Sequence, residues 1–291
     1  MARLLFPLLL ALLSACSPLK SFNALVPKDR GAVLVARDVA YGTDPRQALD
    51  VYAPTGTAAS ARLPVIVFIY GGSWQSGSKD GYGFAARALA ARGFVVAVPD
   101  YRLVPAVRFP GFVEDCAAAV RWARANAARF GGDGARVVMI GHSAGAYNAA
   151  MLALDPRYLG ADRAAVRGWV GLAGPYDFLP LDGPITRAAF GGAPDLPQTQ
   201  PVTHASAGDP PALLLHGAKD DTVYPRNSQA LAARLRAAGG RAEVKLYPKL
   251  GHVGIVTALA APFRGRAPVL EDAAGFARAV TAEEQPATRG R

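Results

Sequence analysis

Val65-Ile66-Val67-Phe68-Ile69-Tyr70 is an unbroken apolar run. A strand with one wet face alternates polar and apolar residues, so a run without alternation predicts a strand covered on both faces. Phe94 to Val98 and Val137 to Ile140 repeat the pattern. Helical segments separate them: the alanine-rich 82–92, ended by Gly93, and 112–130, stopped by Gly131-Gly132. Further strands are expected at Trp169 to Ala173, Ala212 to Leu215 and Val244 to Tyr247, and further helices at 144–154, 226–238 and 269–281. Ahead of these, Val33 to Tyr41 and Ala48 to Tyr52 alternate with period two around Gly42-Thr43-Asp44-Pro45, which predicts an antiparallel hairpin. A hairpin followed by strand–helix units implies an α/β fold, with a mostly parallel sheet of about eight strands and helices on both faces. In such sheets ligands bind beyond the carboxyl ends of the strands.

The chain is long enough for one large domain, at 291 residues. Its 32 basic and 22 acidic residues leave a net charge of +10, but the charges are scattered. A nucleic-acid interface needs a clustered basic footprint, and none is present, so no nucleic-acid partner is expected.

The N-terminus is expected to be an export signal. Arg3 precedes an apolar run from Leu4 to Leu13, too short for an ordinary transmembrane helix. It ends in Leu13-Ser14-Ala15-Cys16, which resembles the lipobox of bacterial lipoproteins. That resemblance implies a lipid-modified Cys16 and a membrane anchor facing the periplasm or in the outer membrane. An ordinary secretory signal, releasing a soluble protein, is the alternative. Residues 1–16 are then signal, 17–32 a polar tether, 33–282 the folded domain and 283–291 a polar tail. Cys116, within an apolar helical stretch, is expected to be a buried thiol.

The chemistry centres on Gly141-His142-Ser143-Ala144-Gly145, between a strand and a helix. A sharp strand–turn–helix lifts a serine hydroxyl above the sheet. Gly141 and Gly145 are needed where side chains would strike neighbouring elements. The motif and its setting resemble the nucleophile elbow of the α/β-hydrolase superfamily, where the triad follows in the order Ser, acid, His. Ser143 is the nucleophile on that reading. Of the four histidines, 142, 204, 216 and 252, only His252 follows a late strand, in Lys249-Leu250-Gly251-His252, and it is the candidate base. His142 lies within the elbow and points away from Ser143, and His216 closes a strand end. The acid belongs in the loop Ala218-Lys219-Asp220-Asp221-Thr222, and position alone does not choose between the aspartates. The segment His216-Gly217-Ala218-Lys219-Asp220 resembles the corresponding stretch of prolyl-oligopeptidase-like hydrolases, which selects Asp220.

The tetrahedral intermediate of acyl transfer needs preorganised N–H donors. One is the backbone of Ala144. Tyr70-Gly71-Gly72-Ser73-Trp74 resembles the His-Gly-Gly-Gly-Trp loop of the hormone-sensitive-lipase group and of bacterial feruloyl and acetyl-xylan esterases, which implies the N–H groups of Gly72 and Ser73 as the others. Tyr70 stands for the usual histidine and Ser73 for the third glycine. The donors are main-chain groups, so the hole can survive both changes. Leu49-Asp50-Val51-Tyr52-Ala53-Pro54 and Asp100-Tyr101-Arg102-Leu103 extend the resemblance.

The stretch 174–210 is too short for a large lid and implies a small cap over a shallow pocket for small acyl groups. Tyr176, Asp177 and Phe178 are candidates for its wall. Trp74 is either a wall residue or a buried brace. The expected activity is hydrolysis of short-chain carboxylic esters, without metal or cofactor. Amide cleavage, by a peptidase or an arylformamidase-like enzyme, uses the same triad. A non-catalytic binding lipoprotein on the same fold is the reading of a different class.

Overall fold

The third strand, β3 (Leu63–Ile69), carries the apolar run and lies in the middle of the sheet, with Val65 to Ile69 fully buried. A computed structural model describes residues 18–282 of the chain. The segment read from the sequence as a signal, Cys16 and the tail after 282 lie outside the described residues. Around β3 are arranged β1 (Ala32–Ala40), β2 (Ala48–Pro54), β4 (Val95–Pro99), β5 (Gly132–His142), β6 (Val166–Leu172), β7 (Ala212–Gly217) and β8 (Ala242–Tyr247). They form one eight-stranded sheet in the order β1-β2-β4-β3-β5-β6-β7-β8. The β1–β2 and β2–β4 pairs are antiparallel, and every other pair is parallel.

Nine α-helices are present among the described residues: α1 (Pro18–Leu25), α2 (Gly83–Ala90), α3 (Gly111–Asn126), α4 (Ala144–Leu154), α5 (Pro156–Leu159), α6 (Pro184–Phe190), α7 (Arg226–Ala237), α8 (His252–Thr257) and α9 (Val269–Thr281). Every residue of α4 is buried, which explains its apolar sequence on all faces. The expected small cap over 174–210 is built from α6 and short 3-10 turns, and Phe190 of α6 packs edge-on against Trp74.

Two stretches differ from expectation. β5 is longer than its apolar segment, because Gly132 and Asp133 already pair with Leu63 and Pro64 of β3. Residues 18–25, within the segment read as a tether, instead form α1. Its Phe22 ring packs against Phe84 at 5.0 Å and Phe263 at 5.6 Å. The Asn23 side chain donates to the Asp80 carbonyl at 2.7 Å and accepts from the Phe84 N–H at 2.8 Å. The Leu19, Phe22, Val26 spacing carries the helical signal, three apolar residues on one face, but it spans barely two turns.

Candidate active site

The elbow follows β5, and the register pairs Gly141 with Ile69 at the end of β3. Ser143 sits at φ 54°, ψ −123°, outside the ordinary regions for an L-residue. Such a conformation costs on the order of 1–3 kcal/mol and persists only where the surroundings enforce it. The glycines show how. A Cβ on Gly145 would come within 2.1 Å of the Ile69 carbonyl, and one on Gly141 within 2.2 Å of the Gly145 carbonyl. The main chain therefore doubles back on itself with no room for side chains, and α4 begins directly behind the hydroxyl.

Ser143, Asp220 and His252 follow three different strands and meet beyond the carboxyl end of the sheet. His252 Nδ1 lies 2.8 Å from Asp220 Oδ2, and its Nε2 lies 2.8 Å from Ser143 Oγ. A carboxylate only accepts, so Nδ1 carries the proton and Nε2 is free to accept from the serine hydroxyl. The structure brings Asp220 into this line, while Asp221 next to it is exposed.

Asp220 is saturated with donors. Its Oδ1 accepts from the N–H groups of Thr222 (3.0 Å) and Val223 (2.9 Å). Its Oδ2 also meets His216 Nε2 at 3.2 Å. Burial alone would raise the carboxyl pKa. The bonds from His216, His252 and the Val223 N–H outweigh it and hold the group well below the usual carboxylate range. His216 thus does more than close a strand. Its Nε2–H also donates to the Val223 carbonyl (2.8 Å), and its Nδ1 accepts from the Ser228 hydroxyl (2.8 Å). The aspartate is gripped between two histidines, a role for His216 beyond the strand-end one expected from the sequence.

His142 points away from Ser143 into a second buried chain. Gly71 N–H donates to Tyr82 Oη (3.2 Å), Tyr82 O–H meets His142 Nδ1 (3.3 Å), and His142 Nε2 meets the His252 carbonyl (3.2 Å). Because that carbonyl only accepts, Nε2 carries the proton and Nδ1 accepts from tyrosine. Burial, reinforced by the neighbouring His252, lowers the His142 pKa to about 3, so the ring stays neutral.

The loop after β3 has φ 140° at Gly72, 55° at Ser73 and 58° at Trp74. Among the described residues, no main-chain acceptor is paired with the N–H of Gly72 or Ser73. The Ala144 N–H opens α4, where the first N–H groups lack intrahelical partners and the helix dipole favours negative charge. Tyr70 braces this loop from behind. It stacks on Tyr101 at 4.7 Å, its hydroxyl accepts from Arg46 Nη2 (2.8 Å), and Arg46 also holds the Gly77 carbonyl (3.1 Å).

Two cavities meet at Ser143. One, of about 470 Å³, is bounded by His252, Gly72, Tyr82, Leu19 and Phe22. The other, of about 430 Å³, is bounded by Ala144, Trp74, Phe178 and Tyr224, with Asp177 and Arg226 at its rim. Trp74 is brace and wall at once: it is 3% exposed, its indole N–H donates to Asn148 Oδ1 (3.2 Å), and it still borders the second cavity. Asp177 and Phe178 line that cavity as expected. Tyr176 does not. Its ring is fully buried against Trp169 at 6.1 Å, and its hydroxyl would be struck by a Cβ on Gly171 or Gly174. The room left by the absent side chains of Gly171 and Gly174 takes the Tyr176 ring inward, while Asp177 and Phe178 remain on the cavity. Cys116 is buried as expected, and burial pushes its thiol pKa well up.

The chain is similar to known esterases. Esterase LipC of Mycobacterium tuberculosis (strain ATCC 25618 / H37Rv) is 33% identical over 227 residues, covering 69% of this chain and 55% of LipC. The chain thus spans little more than half the length of that relative. The butyrate-bound esterase 2 of Thermogutta terrifontis superposes with a TM-score of 0.69 at 25% identity, covering 90% of this chain and 97% of that one. An inhibited esterase B from Lactobacillus rhamnosis shares the fold with a TM-score of 0.79 at 21% identity, covering 95% of this chain and 96% of that one. Residues 49–235, more than half of the chain, match the BD-FAE family, and the protein belongs to that family.

Proposed function

We propose that the protein is a serine hydrolase of carboxylic esters with short acyl groups. The observation that carries this reading is the unbroken line from Asp220 through His252 to Ser143 Oγ, with each contact at 2.8 Å. Ser143 Oγ attacks the ester carbonyl carbon as His252 Nε2 takes the hydroxyl proton. Charge moves onto the carbonyl oxygen, where the N–H groups of Gly72, Ser73 and Ala144 receive it. His252 returns the proton to the departing alkoxide, leaving an acyl-serine. Water, deprotonated by the same imidazole, then releases the acid. Asp220 holds the tautomer this sequence requires and offsets the charge of the imidazolium. The butyrate bound to the Thermogutta esterase supports short acyl groups, as does a second cavity of only about 430 Å³.

A panel of aryl esters from acetyl to dodecanoyl, with an aryl formamide and a peptide amide alongside, tests this. Esters of short acids are expected to turn over fastest. Ser143→Ala is expected to remove on the order of 10⁴-fold or more of the rate, and a fluorophosphonate probe is expected on Ser143. Unchanged turnover in Ser143→Ala sinks the mechanism.

Export and anchoring through Cys16 complete the proposal. The support is Leu13-Ser14-Ala15-Cys16 after a short apolar run. Cys16→Ser is expected to move the protein from the membrane fraction to the soluble one, and an unchanged distribution counts against the anchor.

A further inference from the structure

The two cavities at Ser143 differ in what walls them, and the reaction itself tells them apart. A carbonyl carbon under attack carries three other groups. Its oxygen turns to the N–H groups of Gly72, Ser73 and Ala144. Its leaving oxygen must face His252 Nε2, which returns the proton. The acyl chain takes the direction that remains. His252 borders the cavity of about 470 Å³ and is absent from the lining of the cavity of about 430 Å³. The larger cavity therefore receives the alcohol, and the smaller one, beside Ala144 and Trp74, receives the acyl group.

The outer wall of the larger cavity is helix α1. Leu19 and Phe22 face it from this helix, opposite Val253 and Thr257 of α8. The helix is fixed, because Asn23 bonds to Asp80 and Phe84, and Phe22 lies between Phe84 and Phe263. Arg264, in the turn that carries Phe263, pairs with Asp29 just beyond α1 at 2.6 Å. Across Ser143 the rim is polar, with Asp177, Asp182 and Arg226 bordering the acyl side.

We propose that Leu19 and Phe22 of α1 form the wall of the leaving-group site and select esters of bulky apolar alcohols. This rests on the ester-hydrolase reading above. Apolar surface taken from water against such a wall stabilises the complex in proportion to its area, so a ring-sized alcohol gains far more here than methanol does.

The test is a crossed panel on the full chain. One arm varies the alcohol of acetate esters (methyl, butyl, phenyl, naphthyl). The other varies the acyl group of naphthyl esters (acetyl to hexanoyl). Leu19→Trp narrows the alcohol cavity and Leu19→Ala widens it, with thermal melts to show that each variant is folded. Leu19→Trp is expected to lower kcat/KM for naphthyl acetate tenfold or more relative to methyl acetate, and Leu19→Ala to lower it less. Neither is expected to change the order of preference among acyl groups. Acetate esters share one acetyl-enzyme, so its hydrolysis, read after the burst of naphthol, is expected to keep its wild-type rate. A helix that walled the acyl site would slow that step and reorder the acyl series, and either result overturns the assignment. Equal losses on every ester overturn it too. If the wild type cleaves esters, Ser143→Ala does not, and both Leu19 variants keep the wild-type alcohol profile, only this inference fails. A wild type that cleaves no ester removes the ester-hydrolase reading with it.

Discussion

His142 Nε2 lies 3.2 Å from the main-chain carbonyl of His252, so the histidine of the elbow holds the backbone of the histidine that faces Ser143 Oγ. Through Tyr82 the same imidazole is linked to the Gly71 N–H. The loop that carries the oxyanion donors and the loop that carries the base are therefore tied to each other beneath Ser143. His142 touches no reacting atom and acts as a positioning residue. His142→Ala is expected to lower kcat by about tenfold, leave KM nearly unchanged and cost about 1–3 kcal/mol of stability, since it strands a buried tyrosine hydroxyl and a carbonyl. Stopped-flow kinetics and urea unfolding check this, and His142→Gln, which keeps a donor, is expected to recover part of the rate. A wild-type kcat in His142→Ala would show that the tie has no role in catalysis.

Acid stability follows from the same ring. Its folded pKa is lowered to about 3 from an ordinary 6.5. Below about pH 6.5 the unfolded chain takes up a proton that the folded chain refuses, so stability falls as pH falls toward 3. The slope is expected to reach about 1.4 kcal/mol per pH unit from this group. The lowered Asp220 carboxyl acts in the same direction further down: its contribution is present above about pH 4 and lost as pH falls through its folded value. Urea midpoints measured between pH 3.5 and 7 are expected to flatten in His142→Gln, and a slope identical to wild type would assign the effect elsewhere.

Asp220 and Asp221 should separate cleanly. Asp220→Asn leaves the shape of the site but offers an amide where His252 needs a pure acceptor, and a loss on the order of 10⁴ in kcat is expected. Asp221 is exposed and outside the line to Ser143, so Asp221→Asn is expected to stay within about twofold of wild type, because substitutions at such positions act weakly. A larger loss in Asp221→Asn would reverse the assignment.

Gly145→Ala is expected to fail at folding rather than at chemistry. The added methyl would sit 2.1 Å and 2.4 Å from the carbonyl oxygens of Ile69 and Tyr70, and main chain cannot yield as a side chain can. Soluble yield and circular dichroism read the outcome. A folded, active Gly145→Ala would mean that the elbow has slack the structure does not show.

Tyr70→Phe tests the brace behind the oxyanion loop. It removes the acceptor for Arg46 Nη2 but leaves that arginine its bonds to the carbonyls of Gly77 and Tyr101. A modest drop of about three- to tenfold in kcat is expected, as for one hydrogen bond lost beside a network that survives. Arg46→Ala, which removes all three bonds, is expected to lose more, and the reverse order would place the brace on the ring instead.

Much of the site was legible because its signals are local. The apolar run of β3, the glycines around Ser143 and the loops after β7 and β8 each announce themselves within a dozen residues, and the alternation of strand and helix sets their order along one sheet edge. His216 and Asp220 illustrate where that reading stops. Their spacing was visible, but not that the histidine shares the carboxylate oxygen that His252 uses.

By itself, the sequence determined the sheet, the elbow and the residue types that meet above it, since continuous apolar runs and tight glycine turns follow from local sterics and burial. Tertiary structure alone decided that α1 walls a cavity and that Tyr176 does not. The packing of Phe22 on Phe84 and Phe263 and the pairing of Asp29 with Arg264 join segments remote in the chain. Tyr176 turns inward because Trp169 and the space left by Gly171 and Gly174 receive its ring. A short helix and an extended loop have little preference of their own, so their placement is set by the surfaces available to bury them.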